Sequence, residues 1–261
     1  MAILDTIFKR TELLLGSDVL NQLKEKKVII FGVGGVGSWC AEALVRTGIQ
    51  HLTIVDFDTV CPTNINRQLM ANTKTVGEEK VYLLKNRLLE VNPEANIIAK
   101  KEIYSKENAD SFGLDDFDYI IDAIDSLENK VHLIQTATNT KATFFSSMGA
   151  ALKMDPTRVR VADFWKVQGC PLGSALRRKL RKSEMPKKHF KAVYSDELNE
   201  NRGADILSEL KDIPATGEAD ATLGKKGQPN GTVVFVTATF GLTLASLVVQ
   251  DVITKSDHEQ K

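Results

Sequence analysis

Cysteine is scarce: Cys40, Cys61 and Cys170 stand far apart in a chain of 261 residues. They form no framework of close pairs, which excludes a disulfide-stapled scaffold and suits a reducing compartment. Net charge is absent, with 34 Lys and Arg against 34 Asp and Glu. No global field therefore steers a partner, and any nucleic-acid surface has to be local. The four histidines, His51, His132, His189 and His258, show no metal-ligand spacing. Met1 to Arg10 lacks the apolar core of a secretory leader, so a cytoplasmic protein is expected. One long uncharged run exists, Val233 to Val249, at the lower edge of a membrane-spanning length. Its β-branched, aromatic start and the interruption at Gly241 read as a buried strand followed by a buried helix, with no stable membrane insertion.

What is present begins with an apolar run ending in Gly32-Val33-Gly34-Gly35-Val36-Gly37, followed by helix-forming sequence. Strand, tight turn and helix start make a phosphate site, because N–H groups at a helix start lack partners and the helix dipole favours anions. Asp56, at the end of the next strand, stands where a ribose-binding carboxylate belongs. The fingerprint alone suggests a nicotinamide-dependent oxidoreductase. Asp58, Asn64, Arg67, Gln68, Gly77 and Lys80 follow, however, and a site that only positions a dinucleotide has little use for them. A site that cleaves a triphosphate needs cations where charge accumulates and a carboxylate for a metal. Asp122 and Asp125, after the apolar run Tyr119-Ile120-Ile121, supply candidates at a strand end; Asp125 is the better ligand and Asp122 a structural residue.

Strands are expected at 27–32, 51–56, 96–100, 118–122 and 142–147, with helices at 36–47, 77–91 and 127–139 between them. An amphipathic helix at 11–24, with an apolar stripe from Leu13 and Leu14 to Leu23, precedes them. This alternation implies an α/β fold, a Rossmann-like, mainly parallel sheet with helices on both faces. Beyond Ser147 the style changes, and Arg158-Val159-Arg160-Val161 suggests antiparallel strands added in the C-terminal half. Residues 196–230, with eight acidic and four basic residues, read as a long mobile crossover loop, and the tail after Lys255 is expected to fray.

Between 166 and 191 nine cations face one acid, Glu184. On a helix from Leu172 to Ser183, Leu172, Leu176 and Leu180 make an inward stripe. Arg177, Arg178, Lys179, Arg181 and Lys182 are left outside, and so lopsided a patch points to phosphate-backbone contact.

The ordered blocks Gly-x-Gly-Gly-x-Gly, Asp56-x-Asp58-x-Val60, Asn64-x-x-Arg67-Gln68, Gly77-x-x-Lys80 and Asp122-x-x-Asp125 resemble the adenylating domain of ubiquitin-activating enzymes and their bacterial sulfur-carrier relatives. In the later half, Ser147-Met148-Gly149-Ala150 with Asp155-Pro156, the basic helix, Val193-Tyr194-Ser195-Asp196-Glu197 and Val236 to Gly241 resemble the tRNA threonylcarbamoyladenosine dehydratases. Cys170-Pro171 departs from the Asp-Pro of that pattern. Carrier activators often bear two Cys-x-x-Cys pairs for a structural zinc, which this chain lacks.

The resemblance implies one adenylating domain over 1–261. Its nucleotide-binding half would be 1–150, and a substrate-binding, dimer-supporting half 151–255. It implies ATP-dependent cyclisation of threonylcarbamoyladenosine beside the tRNA anticodon; the alternative is adenylation of the C-terminal Gly-Gly of a ubiquitin-like sulfur carrier. Gly32, Gly34, Gly35 and Gly37 would cradle phosphates and Asp56 the ribose, with Asp58 orienting the loop. Asn64, Arg67 and Lys80 would contact the triphosphate, and Asp125 would hold Mg2+. Arg10 would reach the partner subunit's ATP site in a homodimer, and a sulfur-transfer protein is a further partner the family admits. Cys40 is expected in the core, and Cys61 and Cys170 in positions where a thiol can be exposed, without a catalytic role.

Overall fold

The computed structural model describes residues 6–203, 206, 209 and 230–259. Five parallel strands, β1 (Lys27–Phe31), β2 (His51–Val55), β3 (Asn96–Lys100), β4 (Tyr119–Asp122) and β5 (Thr143–Ser147), form most of the sheet. Two more follow, β6 (Val159–Asp163) and β7 (Lys191–Ser195), and the order across the sheet is β3-β2-β1-β4-β5-β7-β6. All pairings are parallel except β6 with β7, where Val159 faces Ser195 and Asp163 faces Lys191. The antiparallel addition expected from Arg158–Val161 is therefore the edge strand β6. Its partner β7, whose four residues Ala192 to Ser195 are all buried, has no alternating pattern to betray it.

Strands buried on both faces read as continuous apolar runs, because each face needs a cover. Val28 and Ile30 of β1 enter one core with Leu44, Leu84 and Leu244, while Ile29 and Phe31 enter the other with Ile134, Phe164 and Leu176. The first core is covered by α2 (Ser17–Glu25), α3 (Gly37–Thr47), α4 (Lys80–Val91) and α7 (Val234–Glu259), the second by α5 (Leu127–Ala137) and α6 (Pro171–Lys182).

Three expectations are corrected. The amphipathic helix at 11–24 is two helices, α1 (Lys9–Leu15) and α2, broken at Gly16, where φ is +85°. That break turns Leu13 and Leu14 out to 88% and 83% exposure, while Val19, Leu20 and Leu23 stay buried. The run from Val233 contains no strand: α7 is one helix, burying Val236, Phe240, Leu244, Val248 and Val252 against α3 and the sheet. Tertiary packing, chiefly on α3, overrides the β propensity of Val234 to Val236. The tail after Lys255, finally, stays helical to Glu259. α7 is long and apolar enough to cross a membrane by length and composition, with half of its most apolar window buried in the protein. Of the loop expected at 196–230, most of 204–229 lies outside the described residues.

Candidate active site

The carboxyl ends of β1, β2 and β4 meet where the strand order reverses, the crevice in which open α/β sheets bind ligands. The chain leaves β1 at Gly32, whose φ of +84° and whose position, 2.7 Å from the Ala123 carbonyl for any added Cβ, admit no side chain. A Cβ on Gly37 would lie 1.8 Å from the Gly32 carbonyl. The loop thus folds tightly on itself and on the turn after β4. Ser38 closes it: its N–H and hydroxyl both donate to the Gly34 carbonyl, at 3.2 and 2.6 Å, and its oxygen accepts the Leu69 N–H. Among the described residues the N–H groups of Gly34, Gly35 and Gly37 have no acceptor, which leaves them for an anion.

Asp56 accepts the Val33 N–H at 2.7 Å and the Asp58 N–H at 3.0 Å. Loss of hydration raises its pKa above the usual carboxylate value, opposed by the positive charge of Lys80. Lys80, the first residue of α4, is 4% exposed and puts its ammonium 2.7 Å from Asp58. One oxygen of Asp58 and the amide oxygen of Gln68 are buried without a partner among the described residues.

Arg67 lies across the glycine loop, its stem 3.2 Å from the Cβ position of Gly35. Its guanidinium donates to the Thr63 carbonyl at 2.8 Å and to Asn66 at 2.9 Å. Asn64 is buried, and its amide oxygen accepts the Cys61 N–H at 3.1 Å, closing the 3-10 turn Pro62–Asn64. Asp125 is exposed, and among the described residues nothing pairs with it. Asp122 is buried and committed, to Lys130 at 2.8 Å, Ser146 at 2.6 Å and the Ile124 N–H at 3.1 Å. Asp122 is thus engaged within the fold, while Asp125 is left at the surface of the same turn.

The structure brings together the glycine loop, Asp56, Asp58, Arg67, Lys80 and the Asp122–Asp125 turn. It does not bring Arg10 to them. Ile7 and Phe8 border a cavity of about 490 Å3 with Arg46, Arg87 and Glu90, at the far ends of α3 and α4. A second cavity, of about 410 Å3, also lies at the amino ends of the strands, beside Lys27, Tyr119 and Thr143. All three cysteines are buried, which corrects the placement of Cys61 and Cys170: Cys61 sits under its 3-10 turn and the Cys170 sulfur accepts the Gly173 N–H at 3.4 Å. Burial pushes the Cys40 thiol pKa up.

Several residues around the site were given no role by the sequence, although Thr237 lies within the Val236 to Gly241 motif. Trp39 donates from its indole to the Arg67 carbonyl at 3.0 Å, and Thr237 of α7 packs on Gly35. After β5, Leu152 holds a φ of +57°, unusual without glycine, and places Lys153 in the interior with its ammonium on the Glu197 carbonyl. Burial lowers the pKa of that lysine.

On α6 the inward stripe is as expected, with Leu176 and Leu180 fully buried. Arg178, Lys179, Arg181 and Lys182 are exposed. Arg177 is half-buried instead, donating to the Phe164 carbonyl at 3.2 Å, so it holds the fold as well as the surface.

The family model described as ThiF family matches residues 8–261. The chain belongs to the ThiF family. It is similar to the tRNA threonylcarbamoyladenosine dehydratase of Bacillus subtilis (strain 168), 39% identical over 246 residues, covering 94% of each chain. Two crystal structures of the E. coli tRNA N6-threonylcarbamoyladenosine dehydratase share this ThiF fold. The complex with AMP gives a TM-score of 0.84 at 29% identity, covering 99% of this chain and all of that one. The complex with ATP gives 0.82 at 30% identity, covering 96% and 95%.

Proposed function

We propose that this protein uses ATP to dehydrate threonylcarbamoyladenosine next to the tRNA anticodon, cyclising its threonyl side chain. The observation that carries this reading is the convergence of the unpaired N–H groups of the glycine loop, Lys80, Arg67 and Asp125 at one crevice. Its support is the likeness, over nearly the whole chain, to dehydratases of that name and to a structure holding ATP. The work would be cytoplasmic, where tRNA is modified.

The substrate carboxylate is a poor electrophile, since its leaving group would be oxide. Its oxygen attacks the α-phosphorus of ATP, pyrophosphate departs, and an acyl-adenylate forms. The carbamoyl group of the same side chain then displaces AMP, so water is lost overall at the expense of ATP becoming AMP and pyrophosphate. Because that nucleophile is tethered, no protein thiol is required, in keeping with three buried cysteines. In this reading Gly34, Gly35 and Gly37 hold phosphate oxygens through their N–H groups, and Asp56 accepts from the ribose hydroxyls. Arg67 and Lys80 stabilise charge on the departing pyrophosphate. Asn64 acts by fixing the turn that carries Arg67.

Asp125 suits Mg2+, which takes one or two carboxylates and completes its shell with phosphate oxygens and water. Among the described residues no cluster of three His, Cys, Asp or Glu offers a preformed cage, and Asp122 is spent on Lys130. When bound, the ion would neutralise phosphate charge.

The chain would work as one adenylating unit and as a homodimer. Leu13 and Leu14 stand exposed on α1, a helix with no buried residue, one turn beyond Arg10. An apolar contact there between two copies would carry Arg10 toward the partner's crevice, which it does not approach in its own chain.

The test is incubation with ATP, Mg2+ and tRNA carrying threonylcarbamoyladenosine, with nucleosides read by mass spectrometry. The expected product has lost one water, with AMP formed in step. Unchanged nucleoside, with AMP formed only when a Gly-Gly carrier is supplied, would establish the carrier-activating alternative.

A further inference from the structure

Strand β6 runs against its one neighbour, β7, and so delivers the chain to the end of the sheet opposite the crevice, where Asp163 faces Lys191. The 3-10 turn Phe164–Lys166 follows, and the Asp163 carboxylate fixes it by accepting the Trp165 N–H at 2.9 Å. Phe164 is buried, stacked on Phe190 with ring centroids 4.8 Å apart, and meets Trp165 edge-on at 5.2 Å. Helix α6 grips this turn from above with residues one helical turn apart: Arg177 lies over Phe164, and the exposed Arg181 lies over the Trp165 ring, 5.7 Å from its centroid.

Trp165 is only half-buried; Arg181 covers its ring, Lys166 adjoins it in the chain and Lys182 adjoins Arg181 on α6, while the Asp163 carboxylate accepts its backbone N–H. Lys166 and Lys182 are exposed, and among the described residues neither they nor Arg181 meets a carboxylate. His189 is 82% exposed and held at 2.7 Å by Asp163, the acid that fixes the turn. A rigid aromatic ring backed by a guanidinium, with cations around it, matches an unpaired nucleobase and its flanking phosphates: the base stacks and the phosphates pair.

We propose that Trp165 and Arg181 form a stacking platform for an unpaired base of the RNA substrate, away from the reacting nucleotide. The proposal rests on the tRNA reading above and adds a second point of contact to it. The five residues of β6 span roughly 17 Å at ~3.4 Å each. That equals about five nucleotides of a stacked strand at ~3.4 Å per step. The platform therefore contacts a part of the RNA several positions from the one that is adenylated.

The test compares the affinity of modified tRNA for the full-length wild-type chain, Trp165→Leu and Trp165→Phe over a series of salt concentrations, with urea unfolding confirming that each variant folds. Leucine fills the space without a π-face, and phenylalanine keeps one. Trp165→Leu is expected to weaken binding by about tenfold or more, Trp165→Phe to retain most of the affinity, and both to keep the wild-type salt slope, because no phosphate contact is removed. Arg181→Gln, which leaves the Phe164–Trp165 packing in place, is expected to weaken binding and to flatten the slope. Wild-type affinity in Trp165→Leu, or equal loss in the Leu and Phe variants, overturns the platform while leaving the function intact. Failure of the wild-type chain to bind tRNA overturns the functional reading and the platform together.

Discussion

Lys130 and Asp122 form an ion pair that water does not reach: the ammonium stands 2.8 Å from the carboxylate and both side chains are 0% exposed. The same ammonium donates to the Ile124 carbonyl at 2.9 Å, and Asp122 accepts the Ile124 N–H. The pair therefore clamps the turn that carries Asp125 from both sides. Lys130→Met is expected to cost about 3–5 kcal/mol, because it strands a buried carboxylate. Asp122→Asn combined with Lys130→Met should recover much of this. Urea unfolding of the three variants measures it, and a single-variant loss no larger than that of an exposed lysine would show that the clamp carries little.

Asp125→Ala removes an exposed carboxylate that pairs with nothing among the described residues, and it should leave the unfolding midpoint unchanged. Turnover should fall by well over tenfold, more than about 1.4 kcal/mol of barrier, and the dependence on Mg2+ concentration should weaken. A smaller loss would remove Asp125 as the principal metal ligand.

Gly241→Ala tests the seating of α7 on the glycine loop. The added Cβ would stand 2.4 Å from the Val36 carbonyl and 2.9 Å from the Cys40 nitrogen, both backbone atoms that cannot swing aside. A cost of about 1–3 kcal/mol or more is expected, with weaker ATP binding, because Val36 precedes Gly37 in the loop.

Arg10→Ala should inactivate the enzyme. Mixed with Asp125→Ala protein, it should regain activity, up to one working site per heterodimer, since each chain supplies what the other lacks. No rescue despite demonstrated subunit exchange would place Arg10 outside the reaction.

Arg178→Glu with Lys182→Glu should weaken tRNA binding and lower the salt slope by about 0.7–0.9 for each phosphate that is no longer neutralised, with ATP affinity unchanged. An unaltered slope would make this helix face an ordinary solvated surface.

Much of the molecule was legible in the sequence because its signals are local. Apolar runs ending in glycine or aspartate marked β1, β2 and β4, and their carboxyl ends had to carry the site. The pattern failed where a residue's role depends on a distant neighbour. Gly16 looks like one unremarkable helix position, yet it ends α1 and turns Leu13 and Leu14 outward. Val234 to Val236 favour a strand, but the partner that decides the matter is α3, far back in the chain. Gly241 marked an interruption in an apolar run, and only the crossing of α7 over Val36 shows why no side chain fits there. Trp165 and Lys130 carry no motif, because each acquires its meaning from an element elsewhere in the fold.

Asp58 sets the distance over which Lys80 can act. Joined at 2.7 Å and largely withdrawn from solvent, the two charges present a dipole to the crevice rather than a bare positive pole. The field of a dipole dies away faster with distance than that of a single charge, and the pair casts little attraction into the surrounding water. An anion drifting past is not drawn in by Lys80. In the role proposed for the glycine loop, an anion held there would meet an ammonium that still has donors to give. Such a crevice would hold at contact range rather than capture from afar.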